Sequence, residues 1–225
     1  MKQKYFDYEN KKYLDRRKED VRKTKILENF MDTVYSKNDF HIERVDDIDL
    51  QKKGVDLIHI DENNVIHYID EKYAIKYYNK DLKTFSFELF ALNNKDKKGW
   101  FISPNTQTTD YCLLWFQSDE NFENIYTYDL CVIPKHKIVD FLINSGYYSG
   151  IEQDFLKYWE TDNNSNYNSN PNFYTVGEKN NKRRYLRLKN GCKLVQSIYL
   201  EEQPINVIIP RTELYKLATK HFFKK

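Results

Sequence analysis

Glycine is scarce in this sequence, 6 among 225 residues, and proline scarcer still at 5. So little glycine leaves no material for a phosphate-cradling loop. Neither GxGxxG nor GxxxxGK(S/T) occurs, which removes Rossmann enzymes and P-loop NTPases from consideration. The three cysteines, Cys112, Cys131 and Cys192, are far apart, odd in number and free of any CxxC or neighbouring His pair. That pattern excludes a disulfide framework and a zinc site and marks all three as small buried hydrophobes. The 5 His are scattered without HExxH, and GxSxG is absent, so zinc proteases and serine hydrolases have no support. No apolar run approaches the roughly 18 residues that span a bilayer, and runs such as 111–116 have strand length. The N-terminal MKQKYFDYENKKYLDRRKED is basic but has no apolar stretch of the kind a secretory signal needs. The expectation is a cytoplasmic protein with no membrane partner.

What the chain does have is aromatic mass. Mean hydropathy is −0.83 and 31% of residues are charged, yet 19 Tyr and 14 Phe supply the core material that a disordered chain lacks. The length suits one large domain over 1–225. Net charge is only +2 and decides nothing about partners, but its distribution is uneven. Residues 1–25 carry 10 Lys or Arg against 5 Asp or Glu. Residues 179–193, KNNKRRYLRLKNGCK, carry 7 basic residues and no acid, with Tyr185 and Leu186 interleaved. This segment reads either as a phosphate-tracking stripe or as a solvated strand face that happens to be basic. On the first reading Lys182, Arg183, Arg184, Arg187 and Lys189 are nucleic-acid-binding candidates.

Periodicity organises the rest. Val21, Ile26, Leu27, Phe30, Met31, Val34 and Tyr35 fall at three- and four-residue spacings, which predicts an amphipathic helix over 18–36, ended by Ser36-Lys37-Asn38-Asp39. Gly54 introduces the strand-like 55–60, Asp61-Glu62-Asn63-Asn64 supplies a turn, and 65–75 is β-branched and aromatic, so the region predicts a β-hairpin. Residues 85–92 are apolar and of ambiguous type; 100–103, 111–116 and 126–133 predict strands, and 135–144 a helix closed by Gly146. The Asn- and Ser-rich 161–182 predicts a mobile surface loop, since it shows neither periodicity. Beyond it, 184–188, 194–200 and 206–209 predict strands, and 212–222 a terminal helix. Val132-Ile133-Pro134-Lys135 is echoed by Ile208-Ile209-Pro210-Arg211, each before a helix, and proline at a helix start explains both locally.

The chemistry concentrates in Gly54-Val55-Asp56 and Tyr68-Ile69-Asp70-Glu71-Lys72-Tyr73-Ala74. In a strand, alternation sends Asp70 and Lys72 to one side and Ile69, Glu71 and Tyr73 to the other. A hairpin turning near residue 63 sets position 56 opposite 69 or 70, so two carboxylates and one ammonium converge. Phosphodiester hydrolysis needs charge stabilisation at phosphorus, a deprotonated water and a neutralised leaving oxygen. Mg²⁺ on one or two carboxylates supplies the first and third, and a lysine beside them can orient or help deprotonate the water.

At these residues the chain resembles the PD-(D/E)xK nuclease superfamily, with its restriction-endonuclease-like fold. The shared pattern is an initial helix, a strand opening on Asp, a turn, and a strand carrying acid-x-Lys, covering roughly 18–76. The resemblance implies an α/β fold, a mixed β-sheet flanked by helices, with a nuclease-like core over 18–150 and a C-terminal basic strand and helix extension over 183–225. It implies a Mg²⁺-dependent endonuclease or exonuclease acting on DNA, with Mn²⁺ as substitute, and it admits a homodimer. Asp56 and Asp70 match the metal-binding acids and Lys72 the catalytic lysine. Glu28 is the candidate for the acid that many members place on the first helix, with Glu19 as the other choice. Val55 stands where the superfamily commonly has proline. Glu71 replaces Asp70 at the metal if a β-bulge turns it. A helix along the active site is expected near 84–89, where Glu88 would be a polar contact or a helix-surface residue. Trp100, Tyr111 and Trp115 are either base-stacking rings or core. The alternative function is a catalytically inactive module of the same fold that binds nucleic acid or a protein partner.

Overall fold

The computed structural model describes residues 2–91, 99, 101–162, 172–176 and 182–224. Chain order runs α1 (Lys2–Lys37), β1 (Ile42–Arg44), α2 (Ile48–Gln51), β2 (Leu57–Ile60), β3 (Ile66–Tyr73), a 3₁₀ turn (Ile75–Tyr77), β4 (Thr84–Ala91), β5 (Asp110–Ser118) and β6 (Ile125–Pro134). Then follow α3 (Lys135–Asn144), α4 (Ile151–Asp162), β7 (Phe173–Val176), β8 (Arg183–Arg187), β9 (Lys193–Ser197), β10 (Pro204–Pro210), α5 (Arg211–Leu217) and β11 (Lys220–Lys224). The described residues thus form a mixed α/β protein with two sheets and five α-helices. None of those helices is long and apolar enough to cross a membrane.

The first sheet runs β1-β2-β3-β5-β6-β11; β3 and β5 are parallel and every other pair in it is antiparallel. The second, β4-β10-β9-β8-β7, is antiparallel throughout. Strand alternation gives the first sheet two cores. On one face Leu57, Ile69, Cys112, Leu114 and Leu130 meet Leu27, Met31, Val34 and Tyr35 of α1. On the other, Tyr111, Leu113, Trp115 and Ile133 meet Phe85, Phe87, Leu194 and Val207 of the second sheet, with Ile138, Phe155 and Leu214 from α3, α4 and α5. Tyr111 and Trp115 are therefore core; Trp100 lies outside the described residues.

Several elements differ from expectation for local reasons. The first helix starts near the chain start rather than at residue 18, because its first half has no Gly or Pro to break it and no apolar stripe to announce it. Its end is as read: Asp39 takes a left-handed φ of 53° and the Phe40 N–H returns to the Tyr35 carbonyl at 3.0 Å. The segment expected as a helix near 84–89 is β4, whose Phe85, Phe87 and Leu89 are buried with period two. Glu88 accordingly pairs with Asn206 across β10 and lies on no helix beside the pocket described below. Residues 101–103 are turn, not strand. The terminal helix stops at Leu217, and 220–224 instead pairs along β6 as an edge strand. Within 161–182, Phe173–Val176 is strand β7, while 163–171 and 177–181 lie outside the described residues. Pro134 and Pro210 each end a strand and cap the helix that follows, as the echoed motif implied.

Candidate active site

The approach to Asp56 is built by local chemistry. Asp47 caps α2, its Oδ1 accepting from the Asp49 and Leu50 N–H groups at 2.7 and 3.1 Å. Gly54 then adopts φ 77°, a conformation in which a Cβ is disfavoured, and turns the chain into β2. Asp56 stands at that threshold with its backbone tied on both sides: the Val45 N–H donates to its carbonyl and its own N–H donates to the Ile69 carbonyl, each at 2.9 Å. Leu57 pairs with Ile69, which leaves Asp56 at the end of the ladder, in one pocket lining with Asp70.

Strand β3 is paired on both sides, by β2 and by β5, and alternates as its sequence requires. Ile69 belongs to the α1 side, whereas Asp70 and Lys72 stand beside Tyr111 and Leu113 of the opposite face. Asp70 is only 3% exposed, and Lys72 Nζ lies 2.7 Å from its Oδ1. The Asp70 carboxyl is pushed up to about 7: burial is the main cause, Lys72 opposes it, and the Asp56 charge adds to it. Asp56 Oδ2 accepts the Glu71 N–H at 2.8 Å, which fixes this carboxylate against the edge of β3.

These groups open onto a cavity of about 360 Å³ lined by Asp56, Asp70, Glu71 and Lys72, with Arg44 from β1 and Glu28 from α1. Glu28 is occupied by Lys25 at 3.0 Å. Glu19 pairs with Arg22 and Lys23 and is not part of the lining. Glu71 is held by three donors: the Tyr35 hydroxyl on Oε1 at 2.7 Å, and Arg44 Nη1 and the Tyr73 hydroxyl on Oε2 at 2.8 and 2.7 Å. Burial pushes its carboxyl up, while Arg44 and the two hydroxyls pull it down. Arg44 also pairs with Asp32 at 2.7 Å.

Sequence reasoning missed this clamp. Tyr35 sits in the apolar stripe of α1 and read as core, and Arg44 carries no motif at all. It also missed Lys135, whose Nζ donates to Thr106 Oγ1 at 2.8 Å. Burial lowers the Lys135 pKa and the nearby Asp70 charge raises it, so a second ammonium stands on the Asp70 side.

The basic segment is split by strand geometry. Arg183 and Arg187 project from one face of β8, whereas Arg184 turns to the other and lies over the Trp159 ring of α4, 5.2 Å from its centroid. Lys182 and Lys189 flank the strand and are exposed.

No protein-family model, curated protein or solved structure matches this chain. The chemistry of the site therefore rests on its geometry. Among the described residues no three His, Cys, Asp or Glu side chains are grouped so as to hold a metal ion by themselves. Asp56 and Asp70 offer two carboxylates, a set that suits Mg²⁺, which keeps several waters and takes one or two carboxylates from protein. Their mutual repulsion, registered in the raised Asp70 carboxyl, is what a shared cation relieves.

Proposed function

We propose that this chain is a Mg²⁺-dependent nuclease of the PD-(D/E)xK type, built on a restriction-endonuclease-like core and acting on DNA. One observation carries the reading: Asp56, at the entrance to β2, and Asp70 of β3 line one concave pocket close enough for the Asp56 charge to act on Asp70, with Lys72 on Asp70. Two buried or half-buried acids side by side are costly in a structural role and are retained readily where a dication is needed.

Asp56 and Asp70 would hold the metal, which when bound supplies charge neutralisation at phosphate and a lower pKa for water. Asp56 is pre-aimed by the Glu71 N–H, so it reaches the site without a conformational search. Lys72 is 38% exposed at its side chain, free enough to leave Asp70 and orient an attacking water. Arg44 and Glu71 form the wall of the pocket and keep β1 seated against β3.

The second reading is a catalytically inactive module that binds nucleic acid or a protein. The observation on its side is that Lys72 already neutralises Asp70, so the cluster is stable as a plain charge pair. A plasmid-nicking assay with and without Mg²⁺ separates the two. Metal-dependent cleavage lost in Asp70→Ala supports the nuclease, and no cleavage at any Mg²⁺ or Mn²⁺ concentration supports the inactive module.

A further inference from the structure

Nine cations among the described residues have carboxylate partners: Arg22, Lys23, Lys25, Arg44, Lys52, Lys72, Lys83, Arg211 and Lys216. On the second sheet cations are held in another way. Along β8 and β9, Arg183, Arg187 and Lys193 have no ion pair among the described residues; each sits over a tyrosine ring instead. Arg187 lies 4.5 Å from the Tyr174 centroid, Lys193 5.5 Å from Tyr185 and Arg183 5.6 Å from Tyr199. Tyr174 and Tyr185 are themselves stacked at 4.8 Å and 7°. The rings fix the cations without discharging them, because a cation–π contact leaves the net charge in place.

The register sharpens the point. Arg187 and Lys193 are direct cross-strand partners, and like charges placed opposite each other destabilise a ladder. Sequence alternation puts Arg183, Tyr185 and Arg187 on one face, while the intervening Leu186 packs into the inter-sheet core, so the charged row lies on the sheet's outer face. Arg183 and Arg187 stand about 13 Å apart along the strand. At the Arg183 end the Tyr199 hydroxyl is pulled below its usual range, by Arg183 first and in part by Lys76, which follows Lys72 on the chain just past β3.

We propose that the outer face of the second sheet is a docking surface for the sugar–phosphate backbone of nucleic acid, with Arg183, Arg187 and Lys193 as its phosphate contacts and no need of metal. Tyr174 and Tyr185 are stacked on each other beneath Arg187 and Lys193, so these two rings are taken and the row they carry contacts phosphates, while Tyr199 stays exposed at the Arg183 end. Arg184, turned inward, takes no part. The inference rests on nucleic acid being the partner, but not on the cleavage chemistry.

The test is fluorescence anisotropy of labelled duplex and single-stranded DNA, two unrelated sequences of each, in EDTA, titrated from about 50 to about 200 mM salt. The parent should bind both sequences alike. The double variant Arg187→Ala/Lys193→Ala should lose about two from the log–log salt slope and bind about tenfold more weakly at low salt. Its low-salt thermal midpoint should hold or rise, because a repulsive pair has been removed. Arg187→Gln alone should lose about one from the slope, which covers the case of a double variant that does not fold. Lys52→Ala/Lys216→Ala, at exposed lysines paired elsewhere, should change nothing. An unchanged slope in the Arg187 variants overturns the proposal, as does binding to phosphatidylserine vesicles without binding to nucleic acid. Cleavage is scored separately with Mg²⁺. Slope loss with no cleavage by the parent removes the nuclease and leaves this surface standing, and cleavage with an unchanged slope does the reverse.

Discussion

Asp70 and Glu71 are adjacent acids of similar burial on one strand, and their surroundings could hardly differ more. Glu71 faces α1 and is fully engaged by Arg44 and two tyrosine hydroxyls. Asp70 faces the other way, with the Lys72 ammonium bonded to it, Lys135 nearby and the Asp56 carboxylate opposing it. Burial raises both carboxyls, but only at Asp70 does a like charge add to it. The pleat of a strand thus places two adjacent acids in different surroundings, one clamped by donors and one beside another carboxylate. A carboxylate that already accepts from three fixed donors has little left to offer a cation. Glu71 ties β1, α1 and β3 together, and on the proposed reading Asp70 is the acid left for the metal.

The sharpest way to break that contrast is to remove each acid in turn. Glu71→Ala leaves the Arg44 charge and two buried hydroxyls without their acceptor. It should destabilise the fold by about 3–5 kcal/mol, measured from urea midpoints. Asp70→Asn should leave stability within about 1 kcal/mol at about pH 5, where the native carboxyl is protonated, while lowering Mg²⁺-dependent cleavage at neutral pH at least 10²- to 10³-fold, of the order seen when one preorganised charge-stabilising group is lost. If Glu71→Ala folds like the parent and abolishes cleavage, the assignments are reversed.

Lys72 comes next in expected size. Lys72→Ala removes the ammonium but neither carboxylate, so cleavage should fall sharply while Mn²⁺ binding by calorimetry holds or tightens, a nearby positive charge having gone. Asp70→Ala should instead weaken cleavage and metal binding together. A Lys72→Ala protein that cleaves DNA like the parent reduces the lysine to an ion-pair partner.

This part of the molecule was legible in sequence because its logic is local. Gly54, the turn residues 61–64 and period-two alternation determine where Asp56, Asp70 and Lys72 fall relative to one another, and all three signals lie within 20 residues or so. The different surroundings of Asp70 and Glu71 needed the third dimension. Arg44 and Tyr35 reach Glu71 from other elements, and no spacing rule announces a contact between a short strand and a helix. The same holds for β4 and β11. Residues 84–91 and 220–224 become strands through partners far along the chain, β10 and β6, and the helical pattern read into 212–222 was true only of its first half. The basic stripe shows a mixed outcome: its charge was visible in composition, but the inward turn of Arg184 and the Arg187–Lys193 pairing depend on register.

The raised Asp70 carboxyl carries a pH signature. In the folded protein it holds its proton up to about 7, against an ordinary value of 3.8. A proton bound more tightly by the native state stabilises it fully below about 4, and that contribution is lost as pH rises through about 7. In EDTA, then, the parent should lose stability relative to Asp70→Asn between pH 5 and pH 8, read as a shrinking or reversing difference in urea midpoint. With Mg²⁺ present the same deprotonation favours the metal, so affinity should rise across the same range. A difference between parent and Asp70→Asn that stays flat from pH 5 to 8 would falsify the strained pair.

The smallest effect is expected at Glu28, which extends the contrast from neighbouring residues to neighbouring elements. Glu28 lines the pocket from α1 but pairs with Lys25, one turn back on the same helix, and makes no bond to β2 or β3. An exposed helical pair of this kind contributes only about 0.3–0.5 kcal/mol, so Glu28→Ala should barely move the urea midpoint. If Glu28 assists the metal, it does so from outside the Asp56–Asp70 pair, in the manner of an outer group that orients water around the ion. The loss should then be about 10- to 100-fold in metal affinity or cleavage, well short of the Asp70 effect. Glu19→Ala is the matched control, since its pairs with Arg22 and Lys23 are of the same kind and it does not line the pocket. Equal cleavage by Glu28→Ala and Glu19→Ala would leave α1 with a purely structural part, and the two strands alone would carry the chemistry.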